Sequence, residues 1–593
     1  MLRKPLFSLL MLSTGVTLLV AAALANGAVS ATKAPTKLTV GTVNGIDYLD
    51  PGIAYDVGAW AVLKATEVTL VGYADNNASG GPLQLEGAAG WPAISANGLT
   101  YTWQIKPGFR FSPNVGSQVG GGTAVTAKSY ERAFERLLSP HMYGGGTDGV
   151  FDLFDKTIVG GVAFHNGSTP HISGITATGD TLTITLTQAT PYFTSAMAMI
   201  WFAAIPQGTP YDSDAQDNGA TNFYPSAGPY YVTAANPNAS PSVTLEKNPN
   251  YTGNRAQGTD KIAVVPFSTA SACYTAVKGN AIDVDMCGLP SGTAAQAASA
   301  YGVHSVTGTS GSTAGSGGRF HVERTDCMDY LVFDTQKPPT DSIQVRRALE
   351  YIIDRKGLLS KLGPYAGELT DQILPPGFPG YSPFLTYPNT PDLATAALTA
   401  GSALQNTTLV IWHSQGAIQQ QQASLIAQDL QAFSTATSAN MTIENVQSGG
   451  DDLETYPTAT QDGLSNAAFG HDAFNIAFAD WCPDYVDPFA DFNFLLDGSR
   501  IQGAVGTPQD GNTNLSYFNI PIVNTKLANA ASLAGMAGTN AYESLDQFIM
   551  GSYAPVFPYA VFDAQIVTSS RVRNWTYDRY LAMPSLNALT VVG

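Results

Sequence analysis

Apolar and polar residues alternate along several short stretches of the chain, and a period of two predicts β-strands. A strand pair across a polar loop is predicted at 228–232 and 243–247. The other strands are predicted at Lys37 to Val43, Leu99 to Ile105, Asp180 to Leu186, Leu409 to His413 and Phe474 to Phe478.

A helical period of apolar residues appears in three longer stretches. Thr126 to Leu138 opens on a threonine that can cap a helix, and Gln419 to Phe433 is a second helix. Ser342 to Leu359 is predicted as one long helix, with Arg346 and Arg355 on its exposed side. Strands and helices alternate without an internal repeat, which predicts an α/β chain of more than one lobe.

The first residues have the layout of a secretory signal peptide. Two basic residues, Arg3 and Lys4, precede the apolar stretch Leu6 to Ala25, and small residues follow through Ala31. An uncleaved anchor is the alternative, and either interpretation places the rest of the chain outside the cytoplasm. Removal of residues 1–31 would take away two bases and no acid, so the charge of −18 would become about −20.

Composition excludes several classes of protein. An acidic chain of 593 residues with 28 bases and 46 acids has no excess of bases to neutralise phosphates, so a nucleic-acid partner is not expected. Beyond the leader, no apolar run is long enough to span a bilayer. An apolar fraction of 44% and an aromatic fraction of 10% argue against disorder.

The four cysteines favour disulfides in an exported protein, and spacing alone leaves all three pairings open. No metal site is predicted, because no closely spaced cysteine pair exists and no two histidines lie four residues apart. The cysteines are Cys273, Cys287, Cys327 and Cys482.

Catalytic motifs are absent from the sequence. There is no nucleophile elbow, no phosphate-binding P-loop and no dinucleotide fingerprint between a strand and a helix. His413 beside Ser414, and acid pairs such as Asp283 with Asp285 or Asp451 with Asp452, leave a secreted hydrolase only as a remote alternative.

The segment ADWCPDYVDP, Ala479 to Pro488, places a tryptophan, a cysteine and acids at the end of a predicted strand. Trp481 can offer an apolar wall and Asp484 a fixed negative charge, which together suit a cationic group such as the α-ammonium of a peptide. A disulfide-linked turn with a capping aspartate explains the segment equally well.

Seven stretches of the chain, in order, resemble the solute-binding proteins of peptide-type ABC importers, the extracellular solute-binding proteins of family 5. The similarity covers nearly the whole mature chain. The stretches are IDYLDP at 46–51, LTYTWQIKPGFRF at 99–111 with AVTAKSY at 124–130, TPYFTSAM at 190–197, SAGPYYV at 226–232, LEKNPNY at 245–251, KGNAIDVD at 278–285 and VRRALEYIIDRKGLL at 345–359.

The resemblance implies the type II fold of periplasmic binding proteins, with two lobes, a hinge and an inserted third domain. Domain I would comprise residues 37–58, 205–326 and 563–593, domain II residues 59–204, and domain III residues 327–562. A monomer is expected to bind a peptide between the lobes and deliver it to the permease of its importer, without catalysis or a cofactor. The same fold with a non-peptide solute (an oligosaccharide, an opine or a metal chelate) is the alternative.

The resemblance also implies disulfides and ligand residues. Cys327 would pair with Cys482, which leaves Cys273 for Cys287. Asp484 matches the aspartate that holds the peptide ammonium, and Trp481 and Cys482 line the same wall. Residues running beside the peptide, or facing it, would be Ile46, Met286, Cys287, Gly288 and Tyr330.

The sequence departs from the family at three positions. Phe478 stands where oligopeptide binders have a basic residue for the peptide carboxylate, so the ligand's length and carboxyl end stay open. Lys128 and Ser129 replace the family's usual acidic pattern, and no cysteine near the leader could carry a lipid. We therefore expect an exported protein of the periplasm, extracellular space or cell surface.

Overall fold

The computed structural model describes residues 36–43, 45–75, 81–142, 154–211, 221–304, 318–447, 474–501 and 513–592. The predicted leader and the acid pair Asp451 and Asp452 lie outside these residues. Strands and helices alternate through the described chain, so the predicted α/β class is confirmed.

The strands follow the alternating stretches closely. Lys37–Val43 has the predicted bounds, and Ile476–Trp481 starts two residues later than predicted and runs through Trp481. In chain order the strands are β1 Lys37–Val43, β2 Val71–Gly72, β3 Gln84–Leu85, β4 Ala93–Ile94, β5 Thr100–Gln104, β6 Ile175–Thr178, β7 Thr181–Thr185, β8 Tyr230–Ala235, β9 Val243–Lys247, β10 Lys261–Phe267, β11 Val284–Asp285, β12 Val303–His304, β13 Phe320–Phe333, β14 Gly367–Leu369, β15 Thr408–His413, β16 Thr442–Gln447, β17 Ile476–Trp481, β18 Val556–Val567, β19 Tyr577–Asp578 and β20 Met583–Pro584.

Most helices bury one side, whereas the helices at Val57–Thr66 and Phe489–Leu496 are buried over almost their whole length. Thr126 caps its helix as predicted, in a capping box with Ser129. The α-helices are α1 Val57–Thr66, α2 Ala127–Leu137, α3 Gly161–His165, α4 Phe193–Ala196, α5 Ala270–Lys278, α6 Ala294–Tyr301, α7 Ile343–Ile352, α8 Arg355–Leu362, α9 Leu393–Ala400, α10 Ala417–Thr437, α11 Phe489–Leu496, α12 Pro521–Ala531 and α13 Met536–Ser552, and the 3₁₀ turns are Ile200–Phe202 and Gly498–Arg500.

Three larger sheets organise the part of the chain that the structure describes. A five-stranded sheet has the order β11-β1-β10-β9-β8, and a four-stranded antiparallel sheet has the order β4-β5-β7-β6. A seven-stranded sheet has the order β14-β18-β13-β17-β15-β16, with β12 joined to β13. In β5 and β7 alternate residues are buried, which explains why these strands were visible in the sequence.

The long strands β13 and β18 form an antiparallel ribbon that links two of these sheets. Met328–Phe333 pairs with β17 inside the seven-stranded sheet, whereas the start of β13 pairs with β12 and the end of β18. Thr568, just after β18, bridges to Val284 of the five-stranded sheet. The pairing of β13 with β18 is irregular between Arg324 and Met328. The predicted boundaries at 326 and 562 fall near this irregularity, and the division into domains stays a prediction.

The predicted helix 342–359 is wrong in two respects. The chain leaves the helix at Ile353, and Asp354 caps α8 by accepting a hydrogen bond from Gly357 N at 2.9 Å. Arg355 is buried, not exposed, and pairs with the buried Glu350 at 2.6 Å. Arg346 is buried too, where it donates to the carbonyl of Thr340 at 2.7 Å. A helical period does not reveal which arginines find partners on distant loops.

In the described residues, no helix is both long enough and apolar enough to cross a bilayer.

Candidate functional site

Strand β17 brings the predicted Trp481 segment to the middle of the seven-stranded sheet. Trp481 lies opposite Met328 of β13, and its indole Nε1 donates to the carbonyl of Ala490 at 3.0 Å. Cys482 follows at once and is bonded to Cys327. The strand end and the disulfide together fix the start of the loop that carries Asp484.

Asp484 is buried, with 6% of its surface exposed. Burial raises the pKa of its carboxyl to about 7, while the hydroxyl of Tyr55 and the positive charge of Arg500 oppose this increase. Its oxygen Oδ2 has no hydrogen-bond partner among the described residues. A buried carboxylate with an unused acceptor is stabilised when a cationic donor reaches it.

Tyr55, whose hydroxyl interacts with the Asp484 carboxyl, belongs to a cluster of aromatic rings. Tyr55 stacks on Trp201 with centroids 5.6 Å apart, and Trp60 meets Trp201 edge to face at 5.4 Å. The indoles of Trp60 and Trp201 both donate to the carbonyl of Ala54, at 2.9 and 2.8 Å, which fixes the two rings. Aromatic faces attract cations, so the rings and the acid favour the same kind of ligand group.

Two tyrosines from distant parts of the chain hold the main chain of the Asp484 loop. The hydroxyl of Tyr580 donates to the carbonyl of Asp484 at 2.7 Å, and Val486 N donates to the hydroxyl of Tyr73 at 3.0 Å. The rings of Tyr73 and Tyr580 lie 4.5 Å apart. The loop is therefore positioned by side chains from both ends of the sequence.

Ile46, Met286, Cys287 and Gly288 were predicted to lie beside the ligand, and they follow strands β1 and β11 of the five-stranded sheet. Ile46 is buried near Gly58 at the start of α1, and Met286 N donates to the carbonyl of Gly41 at 3.0 Å. Gly288 has a positive φ of 77°, which suits glycine. These residues and Cys287 belong to the β1 and β11 side of the molecule, and their role beside a ligand stays a prediction.

Tyr330 and Phe478 lie in the seven-stranded sheet, each 2% exposed. Tyr330 is opposite Ala479 and Phe478 is opposite Leu331, so the two side chains lie in the core on opposite faces of the sheet. The role of each residue in ligand binding stays a prediction.

Both expected disulfides are formed. Cys327–Cys482 joins β13 to the end of β17, and Cys273–Cys287 joins α5 to the segment after β11. Within the described chain there is no free cysteine. The first bond lies at the candidate site, whereas the second stabilises the edge of the five-stranded sheet.

A cleft of about 190 Å³ lies next to the aromatic cluster. Tyr73 and Tyr580 line this cleft, and the same two tyrosines contact the Asp484 loop. Its wall also carries charged residues, including Lys64, Glu86 and Arg255. Arg255 pairs with Glu86 at 2.5 Å, so these charges are largely satisfied within the protein.

The groups proposed for a hydrolase serve structural roles where the structure describes them. His413 Nδ1 lies 2.6 Å from the carbonyl of Ser414. Asp283 accepts hydrogen bonds from Thr39 N and from the Ser569 hydroxyl, and Asp285 accepts one from Cys287 N. This arrangement resembles no nucleophile and base pair.

No local pattern in the sequence reveals the aromatic residues near Asp484. Tyr55, Trp60, Tyr73, Trp201 and Tyr580 lie up to 525 positions apart in the chain, and none shares a local motif with Asp484. The rarity of tryptophan was the one sequence feature that could have drawn attention to these residues, since two of the seven tryptophans, Trp60 and Trp201, are in contact in this cluster. Only the folded chain brings these rings together.

Comparison with known proteins assigns the family. The family model of the bacterial extracellular solute-binding proteins, family 5 (middle region), matches residues 83–503. The oligopeptide-binding protein OppA of Bacillus subtilis is 27% identical over 314 residues, 53% of this chain and 52% of that protein. Heme-binding protein A of Haemophilus influenzae is 24% identical over 253 residues, 42% of this chain and 41% of that protein. The matched regions thus span about half or less of these curated relatives.

Among solved structures, the clavulanic acid biosynthesis oligopeptide binding protein 2 is similar with a TM-score of 0.75 and 18% identity, over 94% of this chain and 96% of that chain. The fold is therefore that of the family 5 binding proteins. Because the family model covers well over half of the sequence, this chain belongs to the bacterial extracellular solute-binding proteins of family 5.

Proposed function

We propose that this protein binds peptides in the cleft between its lobes and delivers them to the permease of an ABC importer. The observation that carries the proposal is the buried Asp484 carboxyl, whose Oδ2 atom lacks a partner in the described structure and whose surroundings are aromatic. A peptide α-ammonium supplies the charge and the donors that this site can accept.

The relatives support the same class of ligand. Two of the similar proteins carry an oligopeptide-binding name. Tyr55, Tyr73 and Trp201, together with Tyr580, approach the Asp484 loop from different parts of the chain, so a ligand held there can contact both lobes. Contacts with both lobes stabilise a closed state relative to an open one. The chain acts as a binding protein without catalysis or a cofactor, as an exported monomer.

The first experiment identifies the ligand. Native mass spectrometry of the protein purified from a rich medium should reveal a distribution of co-purified peptides. One constant mass of a non-peptide compound would instead support another solute. Heme is the specific alternative, because one relative carries a heme-binding name.

The second experiment tests the role of Asp484 with a matched pair of ligands. Isothermal titration calorimetry would compare one peptide with its N-acetylated form, on the native protein and on Asp484→Asn. The native protein should strongly prefer the free ammonium, because acetylation removes the charge that pairs with the buried acid. In Asp484→Asn the preference should largely disappear, while circular dichroism shows an unchanged fold.

Asp392→Asn is the control, since Asp392 is an exposed cap of α9 where it accepts from Thr395 N at 3.0 Å. It should bind both peptides as the native protein does. Equal affinity of the native protein for free and acetylated peptide would contradict the role of Asp484.

A further inference from the structure

Two histidines and a glutamate meet at the start of the long ribbon, away from Asp484. His304 of β12 lies beside His321 of β13 in a parallel pair, and Glu323 follows on the same face of β13. Ligand atoms of the three side chains all lie within 4.8 Å of one another. The sequence shows no spacing that predicts this cluster, because 16 residues separate the two histidines.

The distance between the two imidazoles suits a metal ion. His304 Nδ1 and His321 Nδ1 are 3.3 Å apart. Two nitrogen ligands bound to zinc at 2.0–2.1 Å with a tetrahedral angle are separated by about 3.3–3.4 Å. A neutral imidazole offers a lone pair to such an ion.

Thr568 offers a hydrogen-bond partner to the far nitrogen of His321. The Thr568 hydroxyl lies 3.1 Å from His321 Nε2, whereas His321 Nδ1 faces His304. When the hydroxyl accepts from Nε2–H, Nδ1 carries no proton and can bind a metal ion. Metal-bound histidines typically have such a second partner on the far nitrogen.

Glu323 and Trp575 complete the surroundings. Trp575 Nε1 donates to Glu323 Oε1 at 2.7 Å, and its ring stacks on His321 with centroids 3.7 Å apart. His321 is 3% exposed and Glu323 is fully buried, whereas His304 is partly exposed. Trp575 thus holds the Glu323 carboxylate and the His321 imidazole in place.

We propose that His304, His321 and Glu323 bind a divalent transition metal ion of the zinc class, with water as the fourth ligand. Two imidazoles and one carboxylate are a common ligand set for such ions. The ion would tie β12 to β13, and through Thr568 and Trp575 it would stabilise the C-terminal segment at one end of the ribbon between the two sheets. The proposal does not depend on the identity of the solute.

Zinc binding to the metal-free protein tests the site. The protein must carry no purification tag that binds metal. Reductant must be absent, because reduction of Cys273–Cys287 would create thiolates beside Asp285. Calorimetry should detect one zinc ion per chain. His304→Ala should reduce the affinity by at least about tenfold, and Thr568→Val by roughly 10–100-fold, as expected for the loss of an outer partner.

His171→Ala is the matched control, because the His171 side chain is 73% exposed and its Nδ1 lies 2.8 Å from Glu135 of α2, away from the proposed ligands in the sequence. It should retain native zinc affinity, and zinc should raise its melting temperature but not that of His304→Ala. Cobalt should give the visible spectrum of a four-coordinate ion with the native protein and with His171→Ala. It should not give this spectrum with His304→Ala. The absence of stoichiometric zinc binding, or unchanged affinity in His304→Ala, would overturn the proposal.

Discussion

The Tyr580 hydroxyl donates a 2.7 Å hydrogen bond to the carbonyl of Asp484, 96 residues earlier in the chain. Tyr580 follows β19 in the C-terminal segment, whereas Asp484 follows β17. The C-terminal segment thus reaches across to the loop that carries the candidate ligand acid. Tyr580 therefore positions the main chain of Asp484, and this hydrogen bond does not involve the side-chain carboxyl.

Replacement of Tyr580 by phenylalanine should loosen the loop without removing the ring. The buried carbonyl of Asp484 would lose its donor, at a cost of about 1–3 kcal/mol in the free energy of unfolding. Peptide affinity should fall as well, because the loop is less well positioned. Urea unfolding and calorimetry would measure both effects. Tyr365→Phe, at an exposed tyrosine, should change neither quantity, and equal behaviour of the two variants would contradict the prediction.

Peptide affinity should depend on pH as a bell-shaped curve. Asp484 has a pKa of about 7 in the unliganded protein, so it must lose a proton to pair with an ammonium. Affinity should fall as the pH drops below about 7, approaching tenfold per unit, and should fall again above about 8 as a free α-amino group loses its charge. Calorimetry in buffers of different ionisation enthalpy would also detect the released proton.

In Asp484→Asn the acidic side of the curve should flatten while the basic side remains. An unchanged acidic limb in this variant would show that another group titrates.

Stability of the unliganded protein should decrease from pH 6.5 to pH 8. The raised pKa of Asp484 means that the folded state binds more protons than the unfolded state, where aspartate titrates near 4. The contribution is therefore present at low pH and lost as the pH rises through about 7. Asp546, whose pKa burial also raises to about 7, acts in the same direction.

Urea unfolding at the two pH values should give a smaller difference for Asp484→Asn than for the native protein, by up to roughly 1 kcal/mol per pH unit. Asp392→Asn should match the native protein, since that carboxyl has a lowered pKa and does not titrate in this range. The window stops at pH 6.5 because the buried His321, whose pKa is lowered, acts in the opposite direction below it.

Removal of either disulfide should lower the free energy of unfolding, but removal of only one of them should also weaken peptide binding. The Cys327–Cys482 bond spans 155 residues and the Cys273–Cys287 bond spans 14. Loop-closure entropy predicts a loss of about 5 kcal/mol for the first and about 3 kcal/mol for the second when each pair is changed to alanine. Only the first change should weaken peptide binding, because Cys482 lies beside Asp484. Equal binding by the two double variants would contradict the placement of the site, and peptide mapping without reductant checks both bonds.

Much of the fold could be predicted because its signals are local. Alternation along 181–185 reflects a strand with one buried face, and Thr126 caps its helix through its own neighbours. The prediction for 342–359 was wrong where distant groups decide the outcome. Arg346 and Arg355 are buried because they donate to carbonyls and to Glu350, which no helical period records.

The sequence by itself determined the α/β class, and the ordered motifs pointed to the family and singled out Asp484 and the Cys327–Cys482 pair. Tertiary structure decided the environment of that acid, since its pKa depends on burial and on Tyr55 and Arg500. It also decided that His304 meets His321, because β12 pairs with β13. Periodicity reports which residues share one face of one element, whereas electrostatics and ligand geometry depend on residues that only folding brings within a few ångströms.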